Sequence, residues 1–301
     1  MTLMLRSRAA FVGTALLVSC GLLAACGTSS VRSAADTAAV SATSATTPVG
    51  GSPTISPSAT ATATASPSHS TAAKGTTSGS GSLAGKIIVL DPGHNGGNFT
   101  HTAEIDRIVD AGFGERKACN TTGTETNAGY TEAAYTFDVA TRLAAVLRAR
   151  GAKVVMTRTS NSGWGPCINQ RAAIGNAAHA DAVLSIHGDG NLTRGARGFQ
   201  IIVADRMMGG TAIRRDSQHL ADDVRAAFRA GTGMPYSNYN GGGTAETHRP
   251  DIGGLNLSTR PAVMIETGNM RSSVDAVLMS SAAFREREAV ALAAGLAAYL
   301  H

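Results

Sequence analysis

Residues 87–97 read I-I-V-L-D-P-G-H-N-G-G. A short apolar run of this kind suits a strand buried on both faces of a sheet, and Pro92-Gly93 ends it. Packing gives such a strand no use for a histidine just past its end, so His94 raises the question of what it faces. The same pattern recurs downstream. A-V-L-S-I runs into His187 at 182–187, and A-V-M-I runs into Glu266 at 262–266. With the first strand at 86–90, further strands are expected at 153–156 and 198–203. Helical spacing of Tyr135, Val139, Leu143, Val146 and Leu147 predicts a helix over 131–150, stopped by Gly151. Others are expected at 168–178, 216–230 (ended by Gly231) and 282–300, with a short piece at 273–280. Alternation of strands and helices gives an α/β fold: a single domain with a mostly parallel twisted central sheet of about six strands flanked by about six helices. Residues 95–130 and 231–260 show no clear period and are expected as long functional loops.

In open α/β sheets, ligands bind beyond the carboxyl ends of the strands. If the three strands are parallel neighbours, His94, His187 and Glu266 converge on one crevice. Glu132 opens the 131–150 helix in G-Y-T-E-A-A-Y, and a helix returning along the sheet begins near those strand ends. Two histidines and a glutamate, with a fourth position left for water, form the ligand set of a catalytic zinc site. Glu266 then remains for proton transfer. Each residue alone has an ordinary reading. His94 suits a surface turn, and Glu132 suits a helix-dipole partner in a first turn. Glu266 beyond a buried strand needs a partner or a function. His69, His101, His179, His219, His248 and His301 are expected as solvated residues, with His248 placed where it can line a cleft.

The flanks bound the compartment. Residues 1–26 hold Arg6 and Arg8, an apolar run from Ala9 to Leu23, and then L-A-A-C, a secretory signal ending in a lipobox-like sequence. Cys26 is the expected lipid anchor; Cys20 fits more loosely, because cutting there exposes G-L-L-A-A. An ordinary secretion signal with incidental cysteines is the alternative. Residues 27–83 are mainly Ser, Thr, Ala, Gly and Pro, too poor in large apolar side chains to fold. They read as a tether with a root-mean-square span of roughly 40 Å. The catalytic candidate is therefore 84–301. Arg6, Arg8, Arg32 and Lys74 precede it against Asp36 alone, so the formal charge of +5 shrinks to +2 within it. No basic stripe interleaved with aromatics is present, so no nucleic-acid partner is expected. Two cysteines, Cys119 and Cys167, remain in the domain, and in an oxidising compartment they are expected to pair, free thiols being the alternative.

At this point V-L-D-P-G-H-N-G-G, Y-T-E before a long helix, N-Q-R-A-A-I-G-N-A, S-I-H-G-D-G and M-I-E-T-G-N-M fall in the order found in one family. The chain resembles the zinc-dependent N-acetylmuramoyl-L-alanine amidases of the amidase type 3 family over 86–300. K-A-C-N-T-T-G-T and the later G-P-C are similar to the compact disulfide-bearing members from mycobacteria and their relatives. The resemblance implies one zinc ion held by His94, Glu132 and His187, with Glu266 as the catalytic glutamate. It departs at Glu132-Ala133, where the family often has Glu-Lys. The implied reaction is hydrolysis of the amide between the lactyl group of N-acetylmuramic acid and L-Ala of the stem peptide, by zinc-activated water with a glutamate general base. The implied partners are peptidoglycan or muropeptide fragments, and the membrane through Cys26. A monomer at the outer face of the cytoplasmic membrane, in the cell envelope, is expected. The competing readings are a non-catalytic peptidoglycan-binding lipoprotein and a zinc-dependent deacetylase of a cell-wall sugar.

Overall fold

The computed structural model describes residues 82–301. The expected signal segment with Cys20 and Cys26, and all but the last residues of the expected tether, lie outside the described residues. In chain order the elements are β1 (Ile87–Pro92), α1 (Thr102–Ile105), β2 (Ile108–Asp110), β3 (Arg116–Ala118), α2 (Glu132–Ala149), β4 (Lys153–Met156), α3 (Ile168–Ala177), β5 (Ala182–Asp189), β6 (Gln200–Ala204), α4 (Gly210–Thr232), β7 (Glu246–Arg249), α5 (Gly253–Asn256), β8 (Ala262–Asn269), α6 (Ser273–Ser280) and α7 (Ala282–Leu300).

Six strands form one sheet in the order β4-β1-β5-β8-β6-β7, and β2 pairs with β3 in a separate antiparallel ribbon. β4, β1, β5 and β8 are parallel, β6 runs antiparallel to β8, and β7 follows β6 in parallel. The three strands leading to His94, His187 and Glu266 are therefore adjacent and point the same way. Side-chain alternation assigns the two faces. Ile88, Leu90, Leu184, Ile186, Val263 and Ile265 face Tyr135, Val139 and Leu143 of α2, Leu220 and Val224 of α4, and Leu292 and Leu296 of α7. On the opposite face Ile202, Ala262 and Met264 pack with Leu255 beside α5, and Val183 packs against Gly175 of α3. Among the described residues, no helix is long and apolar enough to cross a membrane.

Helix α2 begins where the sequence places it because the Thr131 side chain caps it, accepting from Ala134 N at 3.4 Å. Helix α4 is longer than expected at both ends. Gly231 does not stop it; a Cβ there would fall 2.6 Å from Ala291 Cβ, so glycine is what lets α4 approach α7. The left-handed residue that ends the helix is Gly233, with φ of 72°. The two stretches expected as loops also hold structure: 95–130 contains α1 and the β2–β3 ribbon, and 231–260 contains β7 and α5. Each of these pieces spans three or four residues, too short for a readable period.

Candidate metal centre and active site

Parallel pairing of β5 and β8 sets His187 directly beside Glu266, so both side chains leave the same face of the sheet. β1 ends one residue before Gly93, whose amide donates to Ile186 O at 2.9 Å. Gly93 has no room for a side chain: a Cβ would lie 2.3 Å from His187 Cε1. His94 then turns back with φ of 58°, a left-handed conformation unusual for a residue with a Cβ. Its carbonyl accepts from Arg171 Nη2 at 2.7 Å, and its Nδ1 donates to Thr121 O at 3.0 Å. That bond leaves Nε2 to face Glu132 Oε1 at 3.1 Å, where it donates when protonated and offers a lone pair to a cation when neutral. His187 Nδ1 lies 2.9 Å from the same oxygen. The two imidazole rings meet edge-on, 4.9 Å between centroids.

Glu132, the first residue of α2, is buried. Its Oε2 accepts from Thr124 N at 2.9 Å and its Oε1 from Gly188 N at 3.2 Å. Burial works against its charge, but His94 and His187 outweigh that and hold the carboxyl well below the usual range. Burial likewise opposes a charge on His94, yet Glu132 raises its pKa above the ordinary value. One donor atom from each of His94, Glu132 and His187 lies within 4.8 Å of the others, a group able to hold a metal ion. Glu266 shares their cavity of about 350 Å³. Its Oε2 is enclosed and, among the described residues, has no hydrogen-bond partner. Burial, with Glu132 and Asp189 nearby, pushes its pKa well up against the opposing Arg249. Two imidazoles among three carboxylates, one with an orphaned oxygen, match the donor chemistry of a divalent cation site with an adjacent proton acceptor.

The support behind these groups was not foreseen. Asp91 accepts from Thr157 Oγ1 at 2.6 Å, Arg171 Nη1 at 2.7 Å and Ser185 Oγ at 2.7 Å. Burial alone would raise its pKa; Arg171 and the two hydroxyls hold it at about 2. Arg158 is buried, has no carboxylate partner among the described residues, and donates instead to Pro92 O, Gly93 O and Ala133 O. Burial and neighbouring Arg171 push it down to about 9. Arg158 thus clamps the chain just before His94 to the start of α2 after Glu132, while Arg171 holds Pro92 O and His94 O. Arginines at a strand end and in a short helix are the only sequence signals of this role, and neither identifies its partners. Tyr239, in the second long stretch, donates to Asp189 Oδ2 at 2.9 Å. His248 does not join the site; it is exposed on β7 and pairs with Glu246 at 2.9 Å. Cys119 and Cys167 are joined, with Cα atoms 4.2 Å apart. This bond ties the segment holding Thr121 to the N-terminus of α3, which carries Arg171.

Residues 88–298 match the N-acetylmuramoyl-L-alanine amidase family. The chain belongs to it. The amidase is 35% identical over 223 residues to the N-acetylmuramoyl-L-alanine amidase Rv3717 of Mycobacterium tuberculosis, covering 73% of this chain and 88% of that one. Its fold is similar to the crystal structure of the amidase Ami1 from Mycobacterium smegmatis, with a TM-score of 0.68, 38% identity, and coverage of 72% of this chain and 98% of that one. Apo Ami1 from Mycobacterium abscessus gives the same TM-score at 36% identity, covering 72% of this chain and all of that one. The expected α/β fold, family and peptidoglycan-hydrolase class therefore stand.

Proposed function

We propose that the amidase uses His94, Glu132 and His187 to hold one zinc ion and Glu266 to move protons during hydrolysis of the amide joining the lactyl group of N-acetylmuramic acid to L-Ala of the stem peptide. The observation that carries this reading is the convergence of those three donors beside a carboxylate whose inner oxygen has no partner. When bound, zinc supplies a Lewis acid that polarises the scissile carbonyl and brings the pKa of a water toward neutrality. Glu132 is already aimed by Thr124 and Gly188, and His94 by Thr121, so little ordering of these two remains when the ion arrives. Glu266 takes a proton from the attacking water. It then delivers that proton to the departing L-Ala nitrogen. Tyr239 stays protonated, since burial and the Asp189 carboxylate push its phenol up, and it fixes Asp189 beside the cleft.

Because peptidoglycan lies outside the cytoplasmic membrane, the reading extends to export through a signal over 1–26, lipidation at Cys26, a tether over 27–83 and a monomeric catalytic domain over 84–301. The Cys119–Cys167 bond supports an oxidising compartment. The site assignment is tested by two variants. Glu266→Gln retains zinc and loses turnover, whereas His187→Ala loses both; a Glu266→Gln protein that cleaves at the wild-type rate removes Glu266 from the mechanism.

A further inference from the structure

Two depressions meet at the metal site. The first is the polar cleft that contains Glu132, Glu266 and Asp189. The second is a cavity of about 380 Å³ under the β2–β3 ribbon, floored by the sheet and walled by α3 and α5. The two share His94, Thr121, His187 and Met264, but neither Glu132 nor Glu266 lines the second one. Its surface is largely apolar, built from Ile168, Ala172, Val183, Leu255 and Met264. Its charged lining groups are already paired, Asp91 with Arg171 at 2.7 Å and Lys117 with Asp251 at 2.9 Å. A volume of this size lies within the range of small-molecule sites.

Resting on the amidase reading, the geometry points to the apolar cavity as the acyl-side subsite, taking the uncharged muramic acid half of the substrate. Two independent constraints carry this. Glu266 must reach the leaving nitrogen to protonate it, so the amine half lies over the cleft that Glu266 lines; the acyl half extends from the scissile carbonyl to the other side, over the cavity. The chemistry of the two halves agrees. The stem peptide carries carboxylates that need free cations or water, which a cavity with only paired charges does not offer. The muramic half presents methyl groups, an ether and C–H ring faces, which suit this lining.

The test is methyl-selective NMR of the zinc-loaded full chain, titrated separately with the uncharged primary amide of N-acetylmuramic acid and with the dipeptide L-alanyl-D-glutamate. The sugar amide shifts the methyls of Ile168, Val183 and Leu255 saturably, while the dipeptide leaves them in place. Silence of these methyls up to the solubility limit, or their response to the dipeptide instead, overturns the assignment. Ala172→Leu, which fills the cavity away from the metal ligands, raises KM for a muramyl peptide roughly tenfold or more with kcat unchanged; an unchanged KM also overturns it. If the amidase reading itself is wrong, the wild-type chain releases no stem peptide. If only the subsite is wrong, release occurs and the methyls do not follow the sugar.

Discussion

Replacing Glu288 with glutamine should make the protein less sensitive to alkaline pH. Glu288 lies on α7 with no solvent exposure. Its Oε1 accepts from the Tyr135 hydroxyl at 2.7 Å, and its Oε2 has no partner among the described residues. Tyr135 also contacts Thr267 Oγ1 at 2.6 Å, and Thr267 donates to His187 O at 3.0 Å, so the acid lies at the far end of a chain reaching a candidate metal ligand. Burial, only partly opposed by the Tyr135 hydrogen bond and Arg285, pushes its pKa up to about 8. A carboxyl with a raised native pKa binds its proton more tightly folded than unfolded. Its stabilising effect is complete below the unfolded pKa near 4.5 and is lost as pH rises through 8. Linkage over that window gives a wild-type loss of about 3 kcal/mol between pH 5 and pH 8 that glutamine, which does not titrate, lacks. For a domain of this size the gap in Tm between Glu288→Gln and wild type should widen by roughly 6–12 °C over that interval. Thermal denaturation of both proteins across the range reads it directly. A gap independent of pH, or one that narrows toward pH 8, would refute the idea that Glu288 is held as a neutral acid.

The disulfide closes a loop across a sequence separation of 48, worth about 4 kcal/mol in the chain-entropy treatment. Replacing Cys119 and Cys167 together by serine should lower Tm by roughly 8–16 °C, and an unchanged Tm would show the bond to be thermally silent. Arg171→Met removes the donor to His94 O and the partner of Asp91, so zinc affinity measured by chelator competition should fall about 10- to 100-fold. Wild-type affinity in that variant would mean that His94 keeps its left-handed turn unaided.

Much of the fold could be read from runs such as I-I-V-L and A-V-L-S-I, because strands buried on both faces need continuous apolar residues. The ends of these runs also pointed to His94, His187 and Glu266, and the parallel order β1-β5-β8 is what turns three sequence positions into one crevice. β7 was missed because E-T-H-R at a sheet edge is polar and partly exposed, which leaves no hydrophobic signature. The extent of α4 was misread for a different reason: Gly231 serves close packing against α7, and packing partners are invisible to a local pattern. The same limit hid Arg158 and Arg171. Their hydrogen bonds go to backbone carbonyls distant in sequence, and every residue type offers a carbonyl. The apolar cavity combines α3, α5, the ribbon and the sheet, so it exists only once the tertiary fold brings them together.

The most direct test is the mass of the products formed when the full chain, with its zinc quantified in the same preparation, is incubated with muramyl peptides. The account predicts release of a stem peptide beginning at L-Ala, abolished by chelation and restored by zinc. Release of acetate, an unchanged muropeptide from folded zinc-loaded protein, or cleavage that persists after the metal is stripped would contradict it.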